Sequence, residues 1–236
     1  MSGAILITGV GKRVGLHLAR TFLGRGAPVV GTFRSERESL EGLRAEGADL
    51  YACDFDVDGE VEELTRVVSA KYPALRAIIH NASDWLPDDC DLPSAQIMER
   101  MMRVHVSAPY QINLALAPRL KSAGSGMADI IHIGDYVSGR GSKKHIAYAA
   151  SKAAQDNLTL SFAASLAPQV KVNSIAPALV LFNEGDDAAY REKALGKSLM
   201  QREGGLDEFQ RAVDYLLESA YVTGRILPLD GGRHLV

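Results

Sequence analysis

Tyr148 and Lys152 stand four residues apart in HIAYAASK, an alanine-rich run that reads as a helix from about residue 145. On a helix that spacing puts both side chains on one face. A lysine ammonium near a phenol favours the phenolate and lets the tyrosine pass a proton near neutral pH. Y-x-x-x-K is common by chance, so the pair by itself also suits an ordinary half-exposed helix; its surroundings give it weight. The apolar run upstream, IIHIG, reads as a buried strand, and the Gly-rich loop that follows carries Asp135, thirteen residues before Tyr148. A carboxyl beside such a tyrosine can relay a proton to a reacting nitrogen, whereas it would repel the negative charge that grows on oxygen when a ketone is reduced. An aspartate that merely caps the loop is the competing reading.

These residues need elements to hold them, and the chain supplies a regular series. Short apolar runs (AILIT, PVVGTF, DLYACDF, LRAIIH, DIIHIG, VKVNSIA and RILPLD) alternate with longer amphipathic stretches. The expected helices run to about residue 23, then over 36–46, 59–71, 94–120, the segment of Tyr148 and 206–219. Residues 183–203 read as an irregular segment, either a substrate lid or a mobile loop. Repeated βα units predict an α/β fold, a Rossmann-like doubly wound and mostly parallel sheet with right-handed crossovers, whose ligands bind beyond the carboxyl ends of the strands. No repeat, low-complexity tract or linker interrupts it. With 236 residues, 47% of them hydrophobic, one domain over residues 1–236 is expected.

A formal charge of −3 with acids and bases interspersed leaves no footprint for nucleic acid or an anionic membrane surface. The first apolar run is too short for a signal-peptide core, and no stretch approaches membrane-spanning length. Two cysteines, Cys53 and Cys90, imply reduced thiols and a cytoplasmic address. Neither they nor the histidines show metal-ligand spacing, so no metal is expected.

Between the first strand and helix lies TGVGKRVG, with Gly9, Gly11 and Gly15. Glycines there let the backbone approach a diphosphate, whose charge is then held by helix N-terminal amides. Arg13 at the helix start could grip phosphate and also face a substrate; without an anion, a cation at that end is electrostatically unfavourable. At the end of the second strand, where an acid would bind the ribose of NAD, the chain reads GTFRSER. Arg34 and Ser35 offer a cation and a hydroxyl for a 2′-phosphate, which predicts NADPH.

Tyr-x-x-x-Lys, the glycine turn and the strand rhythm together resemble the short-chain dehydrogenase/reductase family along nearly the whole chain. Asp135 stands where most members have serine and Arg13 where they have glycine, and both departures resemble the pteridine reductases of the family. The stretches HNASDW, IAPALVLFNE and LDGGRHL look closer still to bacterial members of that group. The resemblance implies NADPH-dependent reduction of the C6=N5 imine of 7,8-dihydropterins, dihydromonapterin first and dihydrofolate second. An ordinary carbonyl reductase on the same fold and a non-catalytic NADP-binding regulator are the alternatives.

Residue roles follow by the same resemblance. Asp135, Tyr148 and Lys152 are catalytic, Lys152 also holding the nicotinamide ribose. Gly9, Arg13, Val14, Arg34, Ser35, Asp54, Phe55, Asn81, Ala82, Ser83, Pro177 and Leu179 join Tyr148 and Lys152 around the cofactor. Arg13, Ser83, Asp135 and Tyr148 face the substrate with Trp85, the only tryptophan, whose indole would stack on the flat pterin. The competing readings are a Trp85 that anchors its own loop and an Asp54 that only ends a strand. His105 occupies the place of a family asparagine in a proton relay, yet reads as a hydrogen-bonded core residue, as does His132. The helices from residue 94 and around Tyr148 resemble the pair through which members form homotetramers.

Overall fold

Each apolar run becomes a strand, and all of them align in one direction because each is followed by a helical crossover too long for a hairpin. The computed structural model describes residues 3–122 and 127–236. Its elements are β1 (Ala4–Ile7), α1 (Arg13–Gly24), β2 (Val29–Phe33), α2 (Glu38–Ala45), β3 (Asp49–Ala52), α3 (Glu60–Lys71) and β4 (Leu75–His80). There follow α4 (Ser94–Met102), α5 (Ala108–Lys121), β5 (Ala128–Ile133), α6 (Ile146–Leu166), β6 (Val170–Pro177), α7 (Ala188–Leu195), α8 (Leu206–Glu218) and β7 (Ile226–Leu229). The strands form one parallel sheet in the order β3-β2-β1-β4-β5-β6-β7. The order reverses direction between β1 and β4, which opens a crevice at their carboxyl ends. The expected doubly wound α/β fold is present.

Both faces of the sheet are covered, so the central strands are apolar on both sides rather than alternating. On one face Val61, Leu64 and Val68 of α3, Ile112 and Leu116 of α5 and Phe162 of α6 pack on Leu6, Ile78 and Ile130. On the other, Leu18 and Phe22 of α1, Leu40 of α2 and Phe209, Val213 and Leu216 of α8 pack on Ile5, Ile79 and Ile131. At the amino-terminal end of the sheet, opposite the crevice, neighbouring strands β4, β5 and β6 place Arg76, Asp129 and Lys171 together. Asp129 is fully buried and pairs with Arg76 and, at 2.6 Å, with Lys171. The two cations also donate to the Leu217 and Leu216 carbonyls at the end of α8 (2.7 and 2.6 Å), satisfying groups that a helix terminus leaves open.

Two elements differ from expectation. The helix predicted over 94–120 is interrupted by a π-helical turn, Arg103–Ser107, between α4 and α5. Amphipathic periodicity does not register one widened turn. Within 183–203, expected to be irregular, lies α7, started by Asp187, whose side chain accepts from the Tyr190 amide at 2.7 Å. Its exposed, polar composition gives it almost no apolar stripe to read.

Candidate active site

At the carboxyl end of β1 the backbone turns tightly against the end of β4. Gly9 has φ +74°, and a Cβ there would lie 2.9 Å from the Ala82 Cα; one at Gly15 would overlap the Gly9 carbonyl. Both positions therefore require glycine. Asn81 Nδ2 donates to the Thr8 and Gly9 carbonyls at 3.0 Å each, and Thr8 Oγ1 accepts from the Ala82 amide at 2.9 Å. Arg13 keeps the left-handed backbone, φ +51°, that a glycine would adopt without strain. Its guanidinium crosses to the Leu181 carbonyl at 2.9 Å and to Asn183 Oδ1, so neutral acceptors at and just before the start of the 183–203 segment satisfy it.

Above this turn opens a cavity of about 510 Å³. Gly9, Arg13, Val14, Arg34, Ser35, Asp54, Phe55, Asn81, Ala82, Ser83 and Trp85 all line it, bringing those sequence-predicted positions to one place. Lys12 and Arg37 line it as well and were not anticipated, although Arg37 sits inside the same GTFRSER motif. Its side chain lies against Gly11, with the Cδ 3.3 Å from where a Cβ would be. Arg34 itself bonds to Asp84 at 2.9 Å, and Arg100 from α4 shares that carboxylate. Asp54 lines the cavity, and its Oδ1 accepts from the Asp56 amide at 3.1 Å in the turn that ends the strand. Glycines that admit a backbone approach, with Arg34, Ser35 and Arg37 grouped at one end, suit a phosphorylated dinucleotide. Pro177 and Leu179 do not line this cavity. Pro177 ends β6, and Leu179 borders a separate hollow, its carbonyl accepting from the Gly204 amide at 3.0 Å.

Asp135, Tyr148 and Lys152 do come together. Tyr148 Oη donates to Asp135 Oδ2 at 2.8 Å, while Asp135 Oδ1 accepts from the Val137 amide at 2.9 Å and so caps the short turn Tyr136–Gly139. The carboxyl thus both caps its loop and meets the phenol. Burial pushes the Asp135 carboxyl up, against the Val137 and Tyr148 hydrogen bonds. Burial, then the Asp135 charge, pushes the Tyr148 phenol well above its ordinary value. This corrects the expectation of a lysine-stabilised phenolate. Lys152 Nζ lies 5.8 Å from the Tyr148 ring centroid and donates instead to the Ile133 carbonyl at 2.7 Å and to Gln155 Oε1 at 3.3 Å. Burial lowers Lys152 itself to about 8, with Asp135 and Asp156 opposing. The pair Asp135–Tyr148 is therefore a proton-holding unit, suited to giving a proton to a basic atom.

His105, projecting from the π-helical turn, is fully buried and hydrogen-bonded, as the sequence reading favoured. Its Nδ1 faces Ser151 Oγ and its Nε2 faces Ser83 Oγ, both at 2.8 Å. Because Ser151 donates to the Tyr148 carbonyl, it accepts from Nδ1–H, and the neutral ring accepts from Ser83. Burial holds the His105 pKa well below its ordinary value. His132 is structural too, its Nδ1 meeting Thr159 Oγ1 at 2.8 Å and its Nε2 meeting Asn113 at 3.3 Å. Trp85 is 61% exposed and stacks on His145, ring centroids 3.9 Å apart and planes 20° apart. One indole face rests on the start of α6, while the ring also borders the cavity.

Residues 9–234 match the family model described as Enoyl-(Acyl carrier protein) reductase. The chain is 52% identical to a dihydromonapterin reductase of Klebsiella pneumoniae over 98% of its length and 96% of the relative's, and 53% identical to one from Enterobacter sp. over the same shares. In three dimensions it is similar to the FolM alternative dihydrofolate reductase 1 of Brucella canis, solved in complex with NADP. That likeness has a TM-score of 0.86 at 26% identity and covers 99% of this chain and 94% of the other. The corresponding Brucella suis protein, also with NADP, gives 0.86 at 27% identity, covering 99% and 96%. With its parallel sheet, its glycine turn and its Tyr148–Lys152 pair in place, the chain belongs to the short-chain dehydrogenase/reductase family.

Proposed function

We propose that this protein reduces 7,8-dihydropterins to the tetrahydro form with NADPH, acting on dihydromonapterin and also on dihydrofolate. The observation that carries the reading is the 2.8 Å contact between Tyr148 and Asp135, where a carboxyl rather than a hydroxyl partners the tyrosine. Two groups whose pKa values are pushed up side by side hold a proton at neutral pH and can deliver it to a ring nitrogen. The relatives named dihydromonapterin reductases and the Brucella proteins solved with NADP support the substrate and the cofactor.

In this reading Gly9, Val14 and Asn81 with Ala82 admit the diphosphate and nicotinamide end, Arg13 faces both phosphate and substrate, and Arg34, Ser35 and Arg37 hold the 2′-phosphate. Asp54 and Phe55 border the adenine; Pro177 and Leu179 complete the nicotinamide side. NADPH, when bound, supplies the hydride for C6 of the pterin. Tyr148 Oη would pass its proton to N5 and regain one from solvent with the Asp135 carboxylate as the relay, and Lys152 would hold the ribose. Ser83, held by His105, and the free face of Trp85 position the pterin, with residues 183–203 as a lid. The protein works in the cytoplasm as a homotetramer through α5 and α6, whose outer faces leave Tyr110, Leu114 and Leu160 about half exposed. Among the described residues no helix is long and apolar enough to cross a membrane.

Steady-state NADPH oxidation with dihydromonapterin, dihydrofolate and a panel of ketones tests the proposal. Turnover of the dihydropterins with NADPH preferred over NADH is expected. Turnover of ketones alone would make it a carbonyl reductase, and no turnover of any substrate would make it a binding protein.

A further inference from the structure

A larger hollow, about 760 Å³, opens beside Tyr136, the residue after Asp135. Its walls come from three places far apart in sequence: the loop after Asp135, the end of α7 and the residues after β7. They bring four cations, Arg140, Lys143, Lys197 and Arg233, against no Asp or Glu side chain and one anion, the carboxylate of Val236. Arg140 is held in place by donating to the Arg233 carbonyl and to a carboxylate oxygen of Val236, at 3.1 Å each. Arg233 lies over the Tyr136 ring, 4.3 Å from its centroid, a geometry that fixes the guanidinium while leaving its edge free to donate. The cations are close enough to feel one another: Lys197 is held below the ordinary lysine value, first by burial and then by Arg233 and Lys193. Cations gathered in excess over anions repel one another, and an added anion relieves that repulsion.

The hollow adjoins the reacting end of the site. Tyr136 directly follows Asp135 in the chain and lines the hollow. The Arg233 charge reaches Asp135, where with Lys152 it opposes the rise that burial causes. A substrate whose N5 meets the Asp135–Tyr148 pair carries its side arm on the adjacent C6, and an arm leaving that atom has this basic hollow within reach. On that basis, and resting on the dihydropterin reading above, we infer that the hollow walled by Arg140, Lys143, Lys197 and Arg233 is a subsite for an anionic side arm. The ligand class is a C6 arm bearing carboxylates several bonds from the ring, as in a pterin linked to one or more glutamates. A neutral polyol arm would leave the cations unmatched. Guanidinium groups take carboxylates two bonds at a time, and the two exposed lysines add charge without fixed geometry, which suits a chain of carboxylates of variable length. The pterin is then read by the cleft and its arm by the hollow.

The test compares dihydropteroyl-triglutamate with dihydromonapterin on the NADP-loaded protein and on the double variant Lys143→Gln, Lys197→Gln. The ratio of their KM values, triglutamate over monapterin, should rise about tenfold in the variant, as loss of two exposed ion pairs allows. Added salt should raise the same ratio in the wild type and barely move it in the variant, because exposed ion pairs are screened. An unchanged ratio, or equal shifts for both substrates, would overturn the inference. Calorimetry with p-aminobenzoyl-triglutamate, which has no pterin, separates this result from failure of the dihydropterin reading. Binding to wild type that the double variant loses supports the subsite even if no dihydropterin is turned over. Absence of binding, with a double variant whose sedimentation shows a changed oligomer, would make the hollow a subunit interface and overturn the assignment.

Discussion

Replacing Asp135 by asparagine isolates the chemistry from the architecture. The carboxyl makes two contacts, accepting from the Val137 amide at 2.9 Å and from Tyr148 Oη at 2.8 Å. An amide of the same size keeps its oxygen on Val137, so the loop stays capped and the cavity keeps its shape. What it cannot do is lose and regain a proton. Loss of a general acid lowers a rate by about 10²–10⁴-fold, which corresponds to about 2.7–5.5 kcal/mol of barrier. Asp135→Asn should therefore lower kcat for dihydropterin by that factor, measured from NADPH absorbance, while NADPH affinity, measured by fluorescence, stays within about twofold. The pH profile adds an independent reading. Both groups of the pair are pushed up, so the wild type holds its proton at neutral pH and loses kcat as rising pH removes it. That alkaline decline should move to lower pH in the variant, because the Asp135 charge that helps push the Tyr148 phenol up is gone. A kcat within about threefold of wild type would refute the proton-relay role, because the substitution leaves nothing else to compensate.

Three further outcomes are expected. Trp85→Ala should raise KM for dihydropterin by about two- to tenfold, the worth of one aromatic stack, with NADPH binding little changed; indole emission that stays constant as a pterin-site ligand saturates the wild type would assign the ring to His145 alone. Lys152→Met should weaken NADPH binding and slow turnover together. Since the wild-type amine loses its proton near pH 8, the wild-type KM for NADPH should climb above that pH while the variant's, already high, stays flat, and parallel profiles would remove the charge from the argument. Asp129→Asn strips the buried Lys171 and the partly buried Arg76 of their partner at a cost of about 3–5 kcal/mol, or roughly 6–20 °C in Tm for a domain this long, with kcat unaffected; calorimetric melting within about 2 °C of wild type would contradict it.

What the sequence reveals divides along physical lines. Strands buried on both faces show as apolar runs whatever surrounds them, and the glycine turn shows because Gly9 and Gly15 have no room for a Cβ. Asp135, Tyr148 and Lys152 are legible because helical spacing and loop length are local. Distances across the fold are not: nothing in HIAYAASK says that Lys152 turns to the Ile133 carbonyl rather than to Tyr148, or that burial raises the phenol instead of easing its ionisation. His105 offers no visible partner because Ser83 and Ser151 reach it from other elements. Arg37 was within a motif already singled out; its contact with Gly11 depends on how two loops fold back on each other. The basic hollow, too, draws on three separate segments and vanishes into an overall charge of −3.

The widened turn at Arg103–Ser107 has a consequence for how the long helical arm can vary. Its buried residues recur at intervals of four: Ile97 and Met101 lead to His105, and Val104 leads through Ala108, Ile112 and Leu116 to Leu120. In a regular α-helix a step of four overshoots a full revolution by about 40°, so such a stripe would wind out of the core. A turn with more residues per revolution takes back part of that drift, letting one arm serve the site with α4 and the sheet with α5. The segment is thus a phase adjuster, and its length matters more than its chemistry. Excising a single residue would swing everything beyond it by about 100°, turning Ile112 and Leu116 toward solvent, whereas exchanging one side chain for another leaves the phase intact.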